Sequence, residues 1–440
     1  MSAARPVPGR PAAYTLPARE TYALDNGMRV TLVPLGSIPK ATVQIVVRAG
    51  ELNVPAEKAW LQHLLATYLR EGTGRRTGAE FAEAVAELGG DLDIESGDDT
   101  TDIGASVLSE YTPDFVRLLA EVVREPALPP SELERLKGDL RRGLDVALAQ
   151  PHPPAVARFL AALYPDHAYG RPLTTYATID GFTTGDVSGF WAREYGAQRS
   201  HLLVAGRFDI AAVRGAIAEA FSGWAAGPPP LLNPPSPRSA RRVFLIDRPG
   251  AEQSTVYVGL PVIDPSHEDF IALNVTNELL GGSFHSRITL NIREDKGYTY
   301  SPHGVLTARY RDAYWVEVAD IATNATGAAL REVFAEIERL QSEPPSDAEL
   351  EGIKNYVTGR FLITQALPGG VIDFVSYLDL HGLDETYATT LVERVYALTP
   401  EDIRRTAERY LPAGRMTISV AGDASVIRAQ LAPFGEIVEG

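Results

Sequence analysis

The chain has 440 residues, no cysteine and a formal net charge of −16. Its length predicts two or more domains, and its hydrophobic content of 45% is ordinary for a soluble globular protein. The negative charge argues against binding to nucleic acid or to an anionic membrane surface, because phosphate groups would be repelled. The lack of cysteine excludes disulfides and cysteine-ligated metal sites.

The N-terminus shows no targeting signal. Residues 1–17 are predicted to be a flexible lead, and Met1–Tyr14 lacks the apolar centre of a signal peptide. No run in the sequence is long and apolar enough to span a bilayer. We therefore expect a soluble protein, and its compartment stays open.

The next part of the sequence has the residue pattern of β-strands, and a predicted helix follows it. Residues 22–34 carry an Asn26-Gly27 turn signal between two runs, which predicts a hairpin, and residues 41–48 are rich in β-branched residues. A helix is predicted over residues 59–72, because its apolar residues recur at spacings of three and four. These residues are Trp60, Leu61, Leu64, Leu65, Tyr68 and Leu69.

This helix carries a zinc-protease motif in altered form. In H-x-x-E-H, two histidines on one helix face bind Zn²⁺, and the glutamate takes a proton from the zinc-bound water. Here His63 is present, Ala66 stands in place of the glutamate, and Thr67 stands in place of the second histidine. Neither a methyl group nor a hydroxyl can perform those tasks. For His63 alone the alternative is a partly buried histidine with one hydrogen bond, so the interpretation depends on the rest of the chain.

An acidic group follows a second predicted helix, which spans residues 78–88. Residues 91–108 suggest two strands around a polar turn. The spacing of the carboxylates does not match the EF-hand loop, so we expect a solvent-facing strand and turn rather than a calcium site. The acidic residues are Asp91, Asp93, Glu95, Asp98, Asp99 and Asp102.

Helices dominate the following stretch, and Gln150–Pro154 is predicted to break one of them. Helices are predicted over residues 111–124, 132–149, 184–195 and 210–221, and another is predicted to begin at residue 155. A strand is predicted over residues 201–206.

A proline-rich linker, residues 227–240, divides the sequence into domains of residues 18–226 and 241–440, since such a stretch forms neither a helix nor a central strand. The two domains repeat each other. Segments beginning at Pro129 and Thr184 recur at Pro344 and Thr399, with offsets of 215 to 217 residues between matching positions. The predicted fold class is α+β, with two homologous domains that each pack helices on one face of an antiparallel sheet.

The second half offers different polar residues. Its helix over residues 269–280 is expected to correspond to the helix over residues 59–72, but it carries Asn274, Asn277 and Glu278 instead of paired histidines. The glycine-rich loop that follows, residues 281–287, lacks the spacing of phosphate-binding loops.

With both halves in view, the chain resembles the M16 metallopeptidase family, the pitrilysin- or insulinase-like group, over almost its whole length. The strongest match is Arg293-Glu-Asp-Lys-Gly-Tyr-Thr-Tyr300, where the family has an arginine, six residues and a tyrosine. Further matches are the Asn-Gly hairpin, the helix that ends at Glu71-Gly72-Thr73, the segment 166–172, the Val-Ala-Gly strand ends and the loop 281–287. The resemblance implies the M16/LuxS-like metallohydrolase fold, with this chain forming half of a clamshell.

In this family, as the resemblance implies, one half binds zinc through H-x-x-E-H and a further glutamate. The Arg/Tyr pair lies in the other half, across a closed chamber. In the family the further glutamate lies about 76 residues after the second histidine. The same count from Thr67 ends near Gly143, where no glutamate stands and Asp145 is only a weak substitute. Small bacterial members work as pairs of chains, one with zinc and one with Arg/Tyr, and this chain resembles the second kind.

The resemblance therefore implies a zinc-less subunit without a metal or cofactor of its own, whose partner is an H-x-x-E-H chain that carries Zn²⁺. Arg293 would hold a substrate carboxylate or carbonyl, and Tyr300 would donate to the oxyanion at the scissile bond. The expected substrate is a peptide or an unfolded polypeptide, because a closed chamber excludes folded domains. The expected location is the bacterial periplasm or cytoplasm.

Three other hypotheses stay open. The chain could be an inactive homologue that binds peptides or serves as a scaffold for assembly. It could be an active protease with rearranged ligands, although His63 would need two more ligands and no well-spaced candidates are present. For the pair itself, the alternative is that Arg293 forms a surface ion pair and Tyr300 packs on a strand.

Overall fold

The computed structural model describes residues 9–11 and 13–439, so residues 1–8 and 12 of the predicted lead lie outside the described residues. These residues form two six-stranded sheets with helices, one sheet in each half. The strands of the first half are β1 (Glu20–Ala23), β2 (Arg29–Pro34), β3 (Lys40–Val47), β4 (Asp93–Ser96), β5 (Thr101–Leu108) and β6 (Ser200–Gly206). Its helices are α1 (Leu61–Tyr68), α2 (Gly78–Glu87), α3 (Thr112–Arg124), α4 (Leu133–Ala149), α5 (His152–Leu163), α6 (Tyr176–Asp180), α7 (Thr184–Glu194) and α8 (Ile210–Phe221).

The second half follows the same plan. Its strands are β7 (Arg242–Asp247), β8 (Gln253–Val262), β9 (His303–Arg309), β10 (Asp312–Ala322), β11 (Thr417–Gly422) and β12 (Ile437–Glu439). Its helices are α9 (Phe270–Asn277), α10 (Thr326–Ser342), α11 (Asp347–Gln365), α12 (Pro368–His381), α13 (Glu385–Ala397), α14 (Pro400–Tyr410) and α15 (Ala424–Leu431). Two π-helical turns, Glu278–Gly282 and Thr289–Asp295, have no counterpart among the described elements of the first half.

The strand orders are β1-β2-β6-β3-β5-β4 and β12-β7-β11-β8-β10-β9. Most neighbours are antiparallel, as predicted, but β6 runs parallel to β2 and β11 runs parallel to β7. The edge strand β12 is also parallel to β7. These parallel pairs arise because β6 and β11 each return through a long helical connection before they join the sheet beside an early strand.

The internal repeat extends to individual side chains. Lys137 of α4 donates to two backbone carbonyls just before α7, and Lys354 of α11 donates to two carbonyls just before α14. Thr183 and Thr399 then begin α7 and α14 with the same capping box. Two lysines with the same kind of backbone contacts and two caps in matching places indicate one duplicated unit.

Helices of the same half lie on one face of each sheet, as predicted, and form the two main hydrophobic cores. The opposite face is covered by a helix from the other half. Helix α12 packs Val371, Ile372 and Val375 against the first sheet, and α5 packs Phe159 and Leu160 against β10 of the second sheet. The two halves are therefore joined by an exchange of helices.

Polar contacts reinforce this junction. Arg309 at the end of β9 lies 2.7 Å from Asp98, and burial raises the pKa of the Asp98 carboxyl while Arg309 opposes that rise. Asp99 accepts the Tyr169 hydroxyl at 2.5 Å and the Tyr310 backbone N–H at 3.0 Å. The polar turn predicted between two strands is present, but its carboxylates contact the other half of the molecule instead of facing solvent alone.

Two segments differ from their sequence-based description. Helix α5 begins at His152, not at Ala155, because Pro153 and Pro154 occupy the first turn, where a missing N–H is tolerated. Leu16, inside the predicted lead, is buried against Leu378 of α12.

In the described part of the chain no single helix has the length and hydropathy of a membrane span; only the bent pair α11 and α12, at 108°, passes that test together.

Candidate functional site

Helix α1 holds the altered zinc motif at the edge of a cavity. Its apolar stripe, with Leu64, Leu65 and Tyr68, is buried in the core of the first half. This orientation turns His63 towards solvent and leaves Thr67 half-buried. Because both residues sit on the outward face, they occupy the places from which a metal could be reached.

The side chains at these places do not form a zinc site. The Thr67 hydroxyl donates to the backbone carbonyls of His63 and Leu64, both at 2.9 Å, so its proton is used within the helix. Ala66 is only 7% exposed and offers no polar atom. Although His63 lies at the surface, partial desolvation by the surrounding protein lowers the pKa of its imidazole, which favours the neutral form.

The predicted position of the third ligand faces the same cavity. Gly143 of α4 lines a space of about 560 Å³ together with His63 and Thr67. Asp145 is turned elsewhere, since its carboxylate accepts the Tyr176 hydroxyl at 2.6 Å. Among residues 9–11 and 13–439, no three His, Asp, Glu or Cys side chains are arranged to hold a metal ion. The residues present do not fit zinc.

The sequence analysis gave no functional role to the other residues of the cavity and placed Trp60 on the apolar stripe of the predicted helix. Helix α1 instead starts at Leu61, and Trp60 precedes it with a positive φ of 75°, which is rare for a non-glycine residue. Its backbone N–H donates to Glu51 at 3.2 Å, and its indole N–H donates to the Pro172 carbonyl at 3.0 Å. Burial raises the pKa of Glu51 to about 7. Local sequence carries no signal for Glu51, which lies outside the motif.

The second candidate site is the Arg/Tyr pair, and the structure brings its members together. Arg293 lies on the second π-helical turn, and its guanidinium carbon is 4.4 Å from the Phe284 ring centroid and 4.8 Å from that of Tyr300. Phe284 and Tyr300 are 55% and 77% exposed. The guanidinium also lies 3.1 Å from Glu294. The π-stacking holds the group in place while its in-plane N–H donors can still bind a carbonyl or carboxylate.

The backbone just before Tyr300 is anchored by two hydrogen bonds and a β-bridge. Tyr298 donates its N–H to the Ile292 carbonyl at 2.8 Å and accepts from the Ala322 N–H at 3.0 Å. Thr299 forms an antiparallel bridge with Ile321 at the end of β10. Tyr300 therefore projects from fixed backbone and is not packed on a strand.

Phe284 lies in the glycine-rich loop, residues 281–287, and the sequence analysis gave it no role; the available signal was an aromatic residue in an exposed loop. In the described part of the chain, no hydrogen bond, ion pair or ring contact joins Arg293 or Tyr300 to His63 or Thr67. The two candidate sites are separate within this chain.

Two family models match the sequence. The model described as Insulinase (Peptidase family M16) matches residues 30–175. The model described as Peptidase M16 inactive domain matches residues 181–357, which run from the end of the first half into the second.

Curated relatives have similar lengths. An uncharacterized zinc protease of Mycobacterium tuberculosis is 28% identical over 372 residues, covering 83% of this chain and 82% of the relative. An uncharacterized zinc protease of Streptomyces coelicolor is 23% identical over 408 residues, covering 91% and 88%. A third, from Bacillus subtilis, is 24% identical over 351 residues, covering 78% and 83%.

Solved structures share the fold. A protease from Helicobacter pylori superposes with a TM-score of 0.86 at 20% identity, covering 93% of this chain and 100% of that one. A peptidase M16 inactive domain from Pseudomonas fluorescens gives 0.84 at 21% identity, covering 92% and 98%. The chain belongs to the M16 peptidase family, and its residues 181–357 match the domain of that family described as inactive.

Proposed function

We propose that this chain is the zinc-less subunit of a two-chain M16 peptidase. Its partner is a chain with an intact H-x-x-E-H motif that carries Zn²⁺, and the substrate is a peptide or unfolded polypeptide. This chain completes the chamber and contributes Arg293 and Tyr300 to substrate binding.

The proposal rests on a contrast between the two sites. The motif helix has Ala66 and Thr67 in place of the base and the second ligand, and Gly143 stands at the position of the third ligand. Arg293 and Tyr300 are nevertheless present and in contact, with Tyr300 exposed and Arg293 partly exposed. The Tyr300 ring is exposed although it is large and largely apolar, which supports contact with a ligand.

In the proposed complex each residue has a separate task. The planar donors of Arg293 hold a backbone carbonyl or a carboxylate of the substrate. The Tyr300 hydroxyl donates to the oxyanion that forms when the scissile carbonyl is attacked. The loss of one such donor typically lowers kcat about 10²–10³-fold.

The test is reconstitution with an H-x-x-E-H chain from the same source. Native mass spectrometry of the protein purified from that source should give a complex of two chains of similar mass with one zinc. The isolated chain should hydrolyse a quenched fluorescent peptide negligibly, and the mixture should hydrolyse it readily. A zinc-free homodimer would instead support the alternative of a scaffold or peptide-binding protein, and zinc bound to this chain alone would refute the proposal.

Variants of the pair test the residue roles. Tyr300→Phe should lower kcat of the complex about 10²–10³-fold, since only the hydroxyl is removed. Arg293→Ala should lower turnover, and Arg293→Lys should restore it only partly, because an ammonium group cannot replace the planar fork. Arg415→Ala, at an exposed arginine distant in sequence, is the control. Unchanged turnover in both Arg293→Ala and Tyr300→Phe would contradict the assigned roles.

A further inference from the structure

A polar cavity of about 240 Å³ lies at the junction of the two halves, between the first sheet and the helix α12 that covers it. The first half contributes Arg48 and Asp102 to its lining, and α12 contributes Asp373, Ser376 and His381. Pockets for drug-sized ligands usually measure about 300–1,000 Å³. The volume of this cavity therefore suits a smaller molecule.

Two side chains of α12 in this lining have polar atoms without partners. His381 is only 2% exposed, and its Nδ1 atom has no hydrogen-bond partner in the described part of the chain. The same is true of the Ser376 hydroxyl oxygen. Because buried polar atoms are nearly always paired in folded proteins, these two indicate that a further polar group belongs in the cavity.

One end of the cavity is acidic. Asp102 of β5 lies opposite Glu95 of β4 in the sheet, and Asp373 approaches from α12. Burial raises the pKa of the Asp102 carboxyl to about 6, and the charges of Glu95 and Asp373 add to the rise. Within the described part of the chain, no cation is paired with either Asp102 or Asp373. A positively charged group placed here would relieve the repulsion between the carboxylates.

The other end carries hydrogen-bond donors. The guanidinium carbon of Arg48 lies 5.1 Å from the Tyr310 ring centroid, and Arg48 has no ion pair among the described residues. Burial lowers the pKa of His381 to about 4, and the nearby charge of Arg48 contributes to the decrease. A guanidinium and a neutral imidazole can both donate to a carboxylate.

The register of the sheet sets the separation of the two ends. Asp102 lies directly opposite Val46 of β3, and Arg48 follows Val46 by two residues. Such diagonal neighbours have backbone positions about 7–8 Å apart. Side chains that converge from this distance can hold an ammonium and a carboxylate borne by one carbon atom. The lining also includes Ala308 and Leu380, which offer apolar surface.

We propose that this cavity binds a free α-amino acid with an apolar side chain. Its ammonium group contacts Asp102 and Asp373, and its carboxylate contacts Arg48 and His381. Because these residues come from both halves, the bound amino acid connects them across the junction. The proposal goes beyond the subunit function and needs neither the partner chain nor zinc.

The test is isothermal titration calorimetry on the isolated full-length chain with L-valine as the probe. L-valine should bind with one site per chain. L-valinamide lacks the carboxylate and N-acetyl-L-valine lacks the ammonium, so each should bind at least about tenfold more weakly. L-valinamide that binds as tightly as L-valine would refute the proposal and indicate a site for cations alone. The absence of saturable binding of L-valine at about 10 mM would also refute it.

Single substitutions test the two ends separately. Asp102→Asn and Arg48→Gln should each weaken binding of L-valine at least about tenfold, because each removes one charge-assisted contact. Asp91→Asn is the control. Asp91 lines the neighbouring acidic cavity but not this one, so its replacement should leave the affinity unchanged.

Asp373→Asn supplies a second variant of the acidic end if Asp102→Asn fails to fold, since Asp373 is exposed. Unchanged affinity in folded Arg48→Gln and Asp373→Asn proteins would overturn the assignment of the cavity. Turnover of the reconstituted complex is a separate measurement, so failure of the amino-acid site and failure of the subunit role are distinguishable.

Discussion

Strand β10 carries a buried glutamate, Glu317, at a position where the first half has an isoleucine. Glu317 pairs with Val258 of β8, and the matching position in the first sheet is Ile103, which pairs with Ile45 of β3. Glu317 is 2% exposed, and neither of its carboxyl oxygens has a hydrogen-bond partner in the described part of the chain. It fits only because Gly281 leaves room, since a Cβ atom there would collide with its carboxyl group.

We expect Glu317→Ile to stabilise the protein. A buried polar group without partners costs about 1–3 kcal/mol, and the isoleucine removes that cost while keeping a strand-forming side chain. Burial raises the pKa of Glu317 well above its usual value, so the folded chain keeps the proton after the unfolded chain has lost it. As pH rises above the unfolded pKa of about 4.3, stability therefore falls, by about 1.4 kcal/mol per pH unit, until the folded pKa is reached.

Urea denaturation at several pH values between 5 and about 8.5 checks this reasoning. The advantage of Glu317→Ile over the wild type should be about 1–3 kcal/mol at low pH and should grow as pH rises. Glu317→Gln, which cannot ionise, should remove the same pH dependence without the gain at low pH. Ile103→Glu is the reverse exchange in the first half and should destabilise it. A Glu317→Ile protein that is less stable than the wild type across this range would refute the argument.

Three further predictions concern the altered motif and the junction of the halves. The triple variant Ala66→Glu, Thr67→His and Gly143→Glu should bind about one Zn²⁺ per chain in equilibrium dialysis, because it supplies the motif's base and missing ligands; no zinc uptake would contradict the placement of these residues around one cavity. Arg309→Ala removes a buried partner of a charge pair between the halves and should destabilise by about 3–5 kcal/mol, measured by urea denaturation, with limited proteolysis between the halves as a second readout. Because burial raises the pKa of Glu51 to about 7, the free energy of unfolding should fall as pH rises from the unfolded pKa of about 4.3 to about 7 and should level off above that, and Glu51→Gln should remove this component from the pH profile of unfolding.

Much of the local structure followed from the sequence by itself. The 3.6-residue period predicted α1 and α8. Proline at a helix start and glycine at a turn marked boundaries, and similar offsets of 215 to 217 residues revealed the duplication. The fixed spacing of the motif placed Ala66 and Thr67 on the same helix as His63, whereas the position of Gly143 was implied only by the family resemblance. These features depend on residues close in sequence, or on the number of residues between two matching segments.

Only the tertiary structure decided which surfaces meet. The strand pattern predicted helices on one face of each sheet. It did not predict that α12 covers the other face of the first sheet and α5 that of the second, since these contacts join residues far apart in the chain. Three further features also depend on contacts between residues far apart in the chain: the contact of Arg293 with Phe284, the burial of Glu317 and the cavity beside Trp60. In each case the environment is assembled from separate elements, and the physical property that matters (volume, desolvation or ring contact) exists only after they pack.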